Sequence, residues 1–203
     1  MSFIQSVDEL EALYGAIPEA AQIKEVDHLI EPYQAFVTAS PLVVLASVGD
    51  DGLDCSPKGD ATGFVRVFDE KTIAIPDRRG NNRIDNLRNI VRDPRVSLLF
   101  IIPGVSETLR VNGRAAISAD AELLASFAVD GKPPRTVILV DVEKVYFHCA
   151  KAMVRSKLWQ PEAWPARASV PTCGEMLRCI TEGAFDGEQY DRDLPARIQA
   201  TLY

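Results

Sequence analysis

Arg78, Arg79 and Arg83 fall within six residues of one another, around Gly80-Asn81-Asn82. They stand just ahead of Ile84-Asp85-Asn86-Leu87-Arg88-Asn89-Ile90-Val91, whose apolar positions Ile84, Leu87 and Ile90/Val91 recur at helical spacing. A helix start is already partly positive, so three arginines crowd it unfavourably unless an anion sits there. A phosphate held by free backbone N–H groups and guanidinium forks would supply that anion. Two readings are open: the phosphate site of a bound cofactor, or a basic turn in solvent. Composition bears on the choice. The 203-residue chain has a formal net charge of −7 and a pI of about 4.9, which argues against a general nucleic-acid binder. Yet Arg78 to Arg95 contains six arginines against three aspartates counted from Asp77. This local reversal of sign favours a specific anion site.

The elements around it follow from periodicity and breakers. Thr72–Ile75 is a β-prone run that Pro76 is expected to stop, and Asn81 or Asn82 is the expected helix N-cap. Pro94 closes the helical pattern. Upstream, residues 6–15 form a capped helix, with an S-x-x-E box from Ser6 to Glu9 and Gly15 at its end. A second helix is expected from Pro18, carrying Ile23, Val26, Leu29 and Ile30 on one face, with Glu31-Pro32 interrupting it before Tyr33–Thr38. Leu42–Val48 and Leu53–Lys58 read as strands joined by a Gly49-Asp50-Asp51-Gly52 hairpin turn, and Phe64–Phe68 as a strand that pairs with 72–75. Val96–Ile102, Thr108–Ser118 and a long Thr136–Cys149 strand follow, the last with a turn or bulge at Asp141–Lys144. A short helix is expected at 120–128, a helical or loop segment at 150–159, and terminal helices at 172–181 and 191–202. Six to seven strands joined by short links, with the longer helices near the ends, point to an antiparallel barrel decorated by helices. The expected organisation is one domain over 1–203: N-terminal helices (1–34), a barrel core (35–160) and a helical extension (161–203).

The chain has no G-x-G-x-x-G, Walker A, G-x-S-x-G or H-E-x-x-H pattern, which removes support for the folds and hydrolases built on them. Cys55, Cys149, Cys173 and Cys179 contain no C-x-x-C pair, and His28 and His148 lie far apart, so no metal site is expected. Free thiols, no signal-peptide pattern and no membrane-length apolar run lead to a cytoplasmic expectation, with no membrane or nucleic-acid partner. Anion-binding and amide-bearing groups without an evident nucleophile suit a reaction whose chemistry the cofactor carries.

Ser56-Pro57-Lys58-Gly59-Asp60, then Ile75-Pro76-Asp77-Arg78-Arg79-Gly80-Asn81-Asn82-Arg83, then Ser106-Glu107-Thr108-Leu109-Arg110-Val111-Asn112-Gly113-Arg114 occur in this order on hairpin strands. This succession resembles the FMN-binding split barrels related to pyridoxamine 5′-phosphate oxidase, over about residues 35 to 160. Arg155-Ser156-Lys157-Leu158-Trp159 adds the R-S-x-L-W sequence found in a subgroup of uncharacterised FMN-dependent enzymes. The resemblance implies a six-stranded antiparallel Greek-key split barrel and a homodimer with FMN in the subunit interface. It implies an oxidoreductase acting with a small-molecule substrate or electron donor. Ser56 and Lys58 would lie beneath the ribityl phosphate, and Ile75, Pro76 and Asp77 would face the flavin with backbone groups. Asn81, Asn82 and Arg83 would grip the phosphate. Thr108 and Arg110 would reach the flavin edge, and Arg155, Ser156 and Trp159 would complete the pocket from the second subunit. No residue is assigned a catalytic role. A non-catalytic flavin-binding or redox-sensing protein, or a split barrel preferring the deazaflavin F420 or haem, are the alternatives. The chain departs from the oxidase pattern where it has Thr108 in place of glutamine and Ile75-Pro76-Asp77 in place of aromatic-Thr-Asn. It also has no histidine after His148, so the R-x-H clamp for pyridoxamine phosphate is missing. Turnover of that substrate is therefore not expected.

Overall fold

The computed structural model describes residues 1, 3–50 and 52–203. Asp51, at the tip of the expected hairpin turn, lies outside the described residues, although Gly49 and Gly52 on either side of it pair across the hairpin. Helix α1 (Val7–Tyr14) starts at Ser6, whose hydroxyl accepts from the Glu9 N–H, and stops at Gly15 with φ 71°. The second expected helix is much shorter: α2 spans Glu19–Ile23 only. Val26 instead exchanges backbone hydrogen bonds with Val145, and the Leu29 N–H donates to the Glu70 carbonyl, so strand-like pairing claims the rest of the segment. Glu31-Pro32 does not interrupt a helix but begins one, α3 (Glu31–Ala39), with proline in the first turn, where its missing N–H is harmless.

Strands β1 (Leu42–Gly49) and β2 (Gly52–Gly59) form the first hairpin. The predicted strand over Phe64–Phe68 shrinks to β3 (Arg66–Val67), because Phe64 and Val65 turn inward to the core and the Phe64 N–H closes a turn onto Ala61. Strand β4 (Thr72–Asp77) runs straight through Pro76. It pairs with the last strand at Pro76↔Val137 but meets β3 only at Ile73 and Ala74, so the missing N–H of Pro76 falls on its unpaired side. Helix α4 (Asp85–Arg92) and strands β5 (Arg95–Ile101) and β6 (Thr108–Ser118) follow. After α5 (Ala121–Ser126) comes β7 (Thr136–His148). Its register against β6 shifts between Asn112 and Gly113, leaving Glu143 as the extra residue of a bulge inside the stretch where one was expected. The chain ends in α6 (Lys151–Ser156), two 3₁₀ turns, α7 (Cys173–Ile180) and α8 (Gly187–Thr201).

All pairings are antiparallel, in the order β2-β1-β5-β6-β7-β4-β3, so the sheet has seven strands, within the six to seven that the hairpin pattern called for and one more than the resemblance implied. The molecule is the antiparallel, mainly β split barrel with flanking helices that the hairpin pattern called for. Alternate residues of β1, β5 and β6 (Val43, Leu45, Leu98, Phe100, Leu109, Val111) enter one core with Ile73, Ile75, Val140 and Val145. Leu29, Tyr33 and Val37 from the N-terminal segment and Ile90 from α4 cover it. No described helix is long and apolar enough to cross a membrane.

Candidate functional site

Helix α4 is fixed to the β1–β2 hairpin by a polar clamp that sequence periodicity alone does not reveal. The buried Asn86 and Asn89 amides both donate to the Ser47 hydroxyl, at 2.8 and 3.2 Å, and Asn89 also donates to the Asp54 carboxylate at 2.6 Å. The Ser56 hydroxyl donates to the Asn86 side-chain carbonyl at 2.5 Å. Asn86 and Asn89 lie three residues apart beside Ile90, so two amides share a helix face that should be apolar; that was the available signal. Their bonds satisfy each other inside the fold, where unpaired amides would be costly.

Between this hairpin and the β4–α4 turn lies a groove of two adjoining cavities, of about 350 and 640 Å³, within the range of small-ligand sites. Ser56, Lys58, Asp77, Asn81 and Arg83 line both cavities; Pro76 and Asn82 line the larger. The Asn81 side chain accepts from the Arg83 N–H at 2.9 Å, forming a local turn, and Asn82 takes the left-handed conformation at φ 61°. The Asn82 carbonyl oxygen then accepts from Arg135 at 2.8 Å. Neither asparagine caps α4: the N-cap is Ile84, with no side-chain bond, because both side chains are engaged in shaping the turn. The helix start therefore keeps its N–H groups free of a side-chain cap.

The charges divide the groove. The larger cavity is lined by Lys58, Arg78, Arg79, Arg83 and Arg135 against one carboxylate, Asp77. The smaller has Asp54, Asp77 and Asp85 against Lys58 and Arg83. Pro57, Pro76, Ile84 and Leu87 give the larger cavity apolar wall, and Thr136 adds a hydroxyl that is buried without a hydrogen-bond partner among the described residues. Lys58 pairs with Asp77, leaving two ammonium protons for a ligand. Arg83 pairs with Asp85, which raises its pKa further. The crowding of arginines is thus partly relieved within the chain.

Arg78 is anchored differently. Its guanidinium, largely buried, donates to Asp60 at 2.7 Å and to the Phe127 carbonyl at 2.9 Å. The Tyr203 hydroxyl donates to the same Asp60 at 2.7 Å. Burial pushes the Asp60 pKa up, but the bonds from Tyr203, the Ala61 N–H and Arg78 outweigh it and hold the carboxyl below its ordinary range.

The other expected site residues lie elsewhere. Ile75 is fully buried in the core, so only its backbone can face a ligand. Thr108 is buried at the start of β6, opposite His148, and Arg110 donates to the Tyr146 hydroxyl at 2.7 Å. The Trp159 indole donates to the Val105 carbonyl at 2.8 Å, Ser156 donates to Met153 within α6, and Arg155 is exposed. Thr108, Arg110, Arg155, Ser156 and Trp159 do not line the groove. The groove touches β7 at Thr136 and Thr108 meets it at His148, roughly 35–40 Å of strand away at about 3.3 Å per residue.

The family model described as pyridoxamine 5′-phosphate oxidase matches residues 29–149. No curated protein matches the chain. Solved structures that are similar include HupZ of Group A Streptococcus, 18% identical over 57% of this chain and 90% of that one, with a TM-score of 0.44. General stress protein 26 from Bacillus anthracis str. Sterne is 16% identical, covering 56% of this chain and 88% of that one, with a TM-score of 0.43. An FMN-binding protein from Syntrophomonas wolfei is 11% identical, covering 60% and 86%, with a TM-score of 0.46.

Proposed function

The chain belongs to the pyridoxamine 5′-phosphate oxidase family, and we propose on that premise that it is an FMN-binding flavoprotein, an FMN-dependent oxidoreductase acting on a small molecule. The observation that carries the reading is the larger cavity: five cations face one carboxylate there, in a chain whose net charge is −7. Such a concentration of guanidinium and ammonium donors, beside an uncapped helix start, suits a dianionic phosphate. The residues present also fit the rest of the cofactor. Pro57, Pro76, Ile84 and Leu87 offer apolar surface to a flat ring, and the unpartnered Thr136 hydroxyl can donate to or accept from a ribityl chain.

When bound, the flavin supplies the hydride chemistry. Arg83, Asn81 and Asn82 would hold its phosphate, together with Lys58 and Ser56. Thr108, Arg110, Arg155, Ser156 and Trp159 act from the second copy of a homodimer with FMN at its interface. Their separation from the groove within one chain supports that assignment, since a single small ligand cannot span it. Arg110 would then bring positive charge near the ring, where it would offset negative charge that reduction adds.

The test is the absorption spectrum of the purified protein, read with its response to NADH and NADPH. Flavin absorbance near that of free FMN, at about one flavin per chain, with reduction by either nucleotide and reoxidation by an acceptor, is the expected result. A colourless protein that takes up no added FMN, or a deazaflavin or haem spectrum, would overturn the cofactor. Tight flavin without turnover would overturn the enzymatic part and leave a flavin-binding sensor. Pyridoxamine phosphate should not be converted, since no histidine follows His148 to complete the usual clamp.

A further inference from the structure

Beyond the larger cavity, on the side away from Ser56 and Lys58, lies a third cavity of about 200 Å³. Arg78, Arg79 and Arg135 border both, so the two are neighbours that share a wall of arginines. The third adds Lys132 and is closed by Pro133, Pro134 and Tyr203, with no carboxylate in its wall. Asp60, the nearest acid by contact, is held by Arg78 and Tyr203. Asp130, on the same turn as Lys132, is a further acid near the cluster, close enough to Tyr203 to raise its pKa.

The cations are presented by a stiff segment. Val129 and Lys132 exchange backbone hydrogen bonds across Asp130 and Gly131, whose φ values of 49° and 75° are both left-handed. Two positive φ values in succession make the tight, strand-compatible type of turn. Two prolines follow, each with φ fixed by its ring, and the Arg135 N–H then bonds the Asp77 carbonyl at 3.3 Å. Lys132 and Arg135 thus flank a rigid Pro-Pro step. Neither the Arg79 guanidinium nor the Lys132 ammonium has an ion-pair or hydrogen-bond partner among the described residues. Like charges gathered this closely without carboxylates repel one another, and an anion relieves that repulsion.

We propose that this cavity is a second anion subsite, which takes a phosphoryl group lying beyond the one that Arg83 holds. The inference rests on the phosphate reading of the larger cavity and deepens it: the groove accommodates two phosphoryl groups in succession. The second comes either from the same ligand, as in a flavin carried on a diphosphate, or from a separate phosphorylated co-substrate.

Calorimetric titration of the full-length protein with FMN, with FAD, and with pyrophosphate added to the FMN-loaded protein separates these sources. Each is run on wild type, Lys132→Ala and Lys132→Glu, with thermal melts confirming that the variants fold. Lys132 lines only the third cavity, so FMN affinity should not change. If the second phosphoryl belongs to the same ligand, FAD binds wild type at least as tightly as FMN and loses about tenfold in Lys132→Ala, the scale of one charge-assisted contact. If it belongs to a separate ligand, pyrophosphate binds the FMN-loaded wild type and is lost in Lys132→Glu. FMN binding that stands while neither FAD nor pyrophosphate responds to Lys132 overturns the subsite and leaves the cofactor reading intact. Equal losses for FMN and FAD also overturn it, since Lys132 would then serve a single phosphate site. Failure of FMN to bind overturns the cofactor reading instead, and pyrophosphate titrated into the unloaded protein then decides the subsite alone.

Discussion

The phosphate reading of the groove turns on Arg83. It sits 79% exposed beside Asp85, in a turn shaped by Asn81 and Asn82, and its side chain can swing to a ligand phosphate without leaving the groove. Arg83→Ala should weaken FMN by about ten- to a hundredfold, the range of one charge-assisted contact. Riboflavin, which lacks the phosphate, should bind weakly and be indifferent to the change. Equal losses for the two would mean that Arg83 supports the fold or the ring. The flavin-free protein should melt almost unchanged, because Asp85 stays favourably placed in the first turn of α4 once its partner is gone. The Asp60 knot gives a pH-dependent counterpart. A carboxyl depressed in the native state contributes stability that is present above its unfolded pKa, about 3.9, and lost as pH falls through the lower folded value. Tyr203→Phe removes one of the bonds that depress it, so the variant should be less stable than wild type at pH 7 by about 1–2 kcal/mol. The two should converge at a pH low enough to protonate Asp60 in both, below its depressed folded value. Urea midpoints at the two pH values check this; a gap of the same size at both would remove Asp60 from the account.

Elements held by backbone pairing were the hardest to read in the sequence. Most strands announced themselves through apolar alternation, and β6 and the Glu143 bulge fell where turn and apolar signals put them. Residues 18–30 failed because helical periodicity cannot register that Val26 pairs with Val145, a partner far along the chain. Pro76 failed for a related reason: whether a proline ends a strand depends on which side of it has a neighbour. The basic groove was readable from Arg78, Arg79 and Arg83 because charge and glycine are local signals. Arg135, Thr136 and Tyr203, which share its walls or its extension, come from the far end of the chain and carry no motif. At Gly113 the packing is tight enough for a firm expectation. A Cβ there would lie 2.0 Å from the Asp141 carbonyl oxygen, backbone that has no rotamer to escape into. Gly113→Ala should cost about 3 kcal/mol or more and disturb the bulge. Chemical denaturation together with amide exchange on β6 and β7 would measure it. A loss below about 1 kcal/mol would show that the two strands can shift apart freely.

The whole molecule presents apolar surface that nothing in one chain covers. Val7, Leu10, Leu13 and Tyr14 of α1 are all exposed, as are Val154 of α6 and Leu158 just beyond it. Thr108, Arg110 and Trp159 meanwhile lie outside the groove they would serve, Arg110 bonded to Tyr146 and Trp159 to Val105. An isologous dimer would answer both, burying that surface while bringing these residues to the other chain's groove. Sedimentation should therefore give a dimer, and Trp159→Ala should lower flavin affinity in the dimer without altering the isolated groove. A monomer that retains flavin tightly would defeat the two-chain site.

The outermost strand limits how such a pair can be built. β2 has β1 on one side and no described strand on the other, and Pro57 sits in the middle of its regular pairing, opposite Val44. Because that pairing continues undisturbed through Pro57, the position without an N–H points outward, to the open edge. An arriving strand would find a missing rung there, flanked by the Asp54 and Lys58 charges. Two copies are thereby discouraged from fusing edge to edge into one continuous sheet, the route by which an eight-residue strand would otherwise recruit its neighbours into aggregates. The same proline that adds to the groove's apolar wall thus also removes one rung from that open edge.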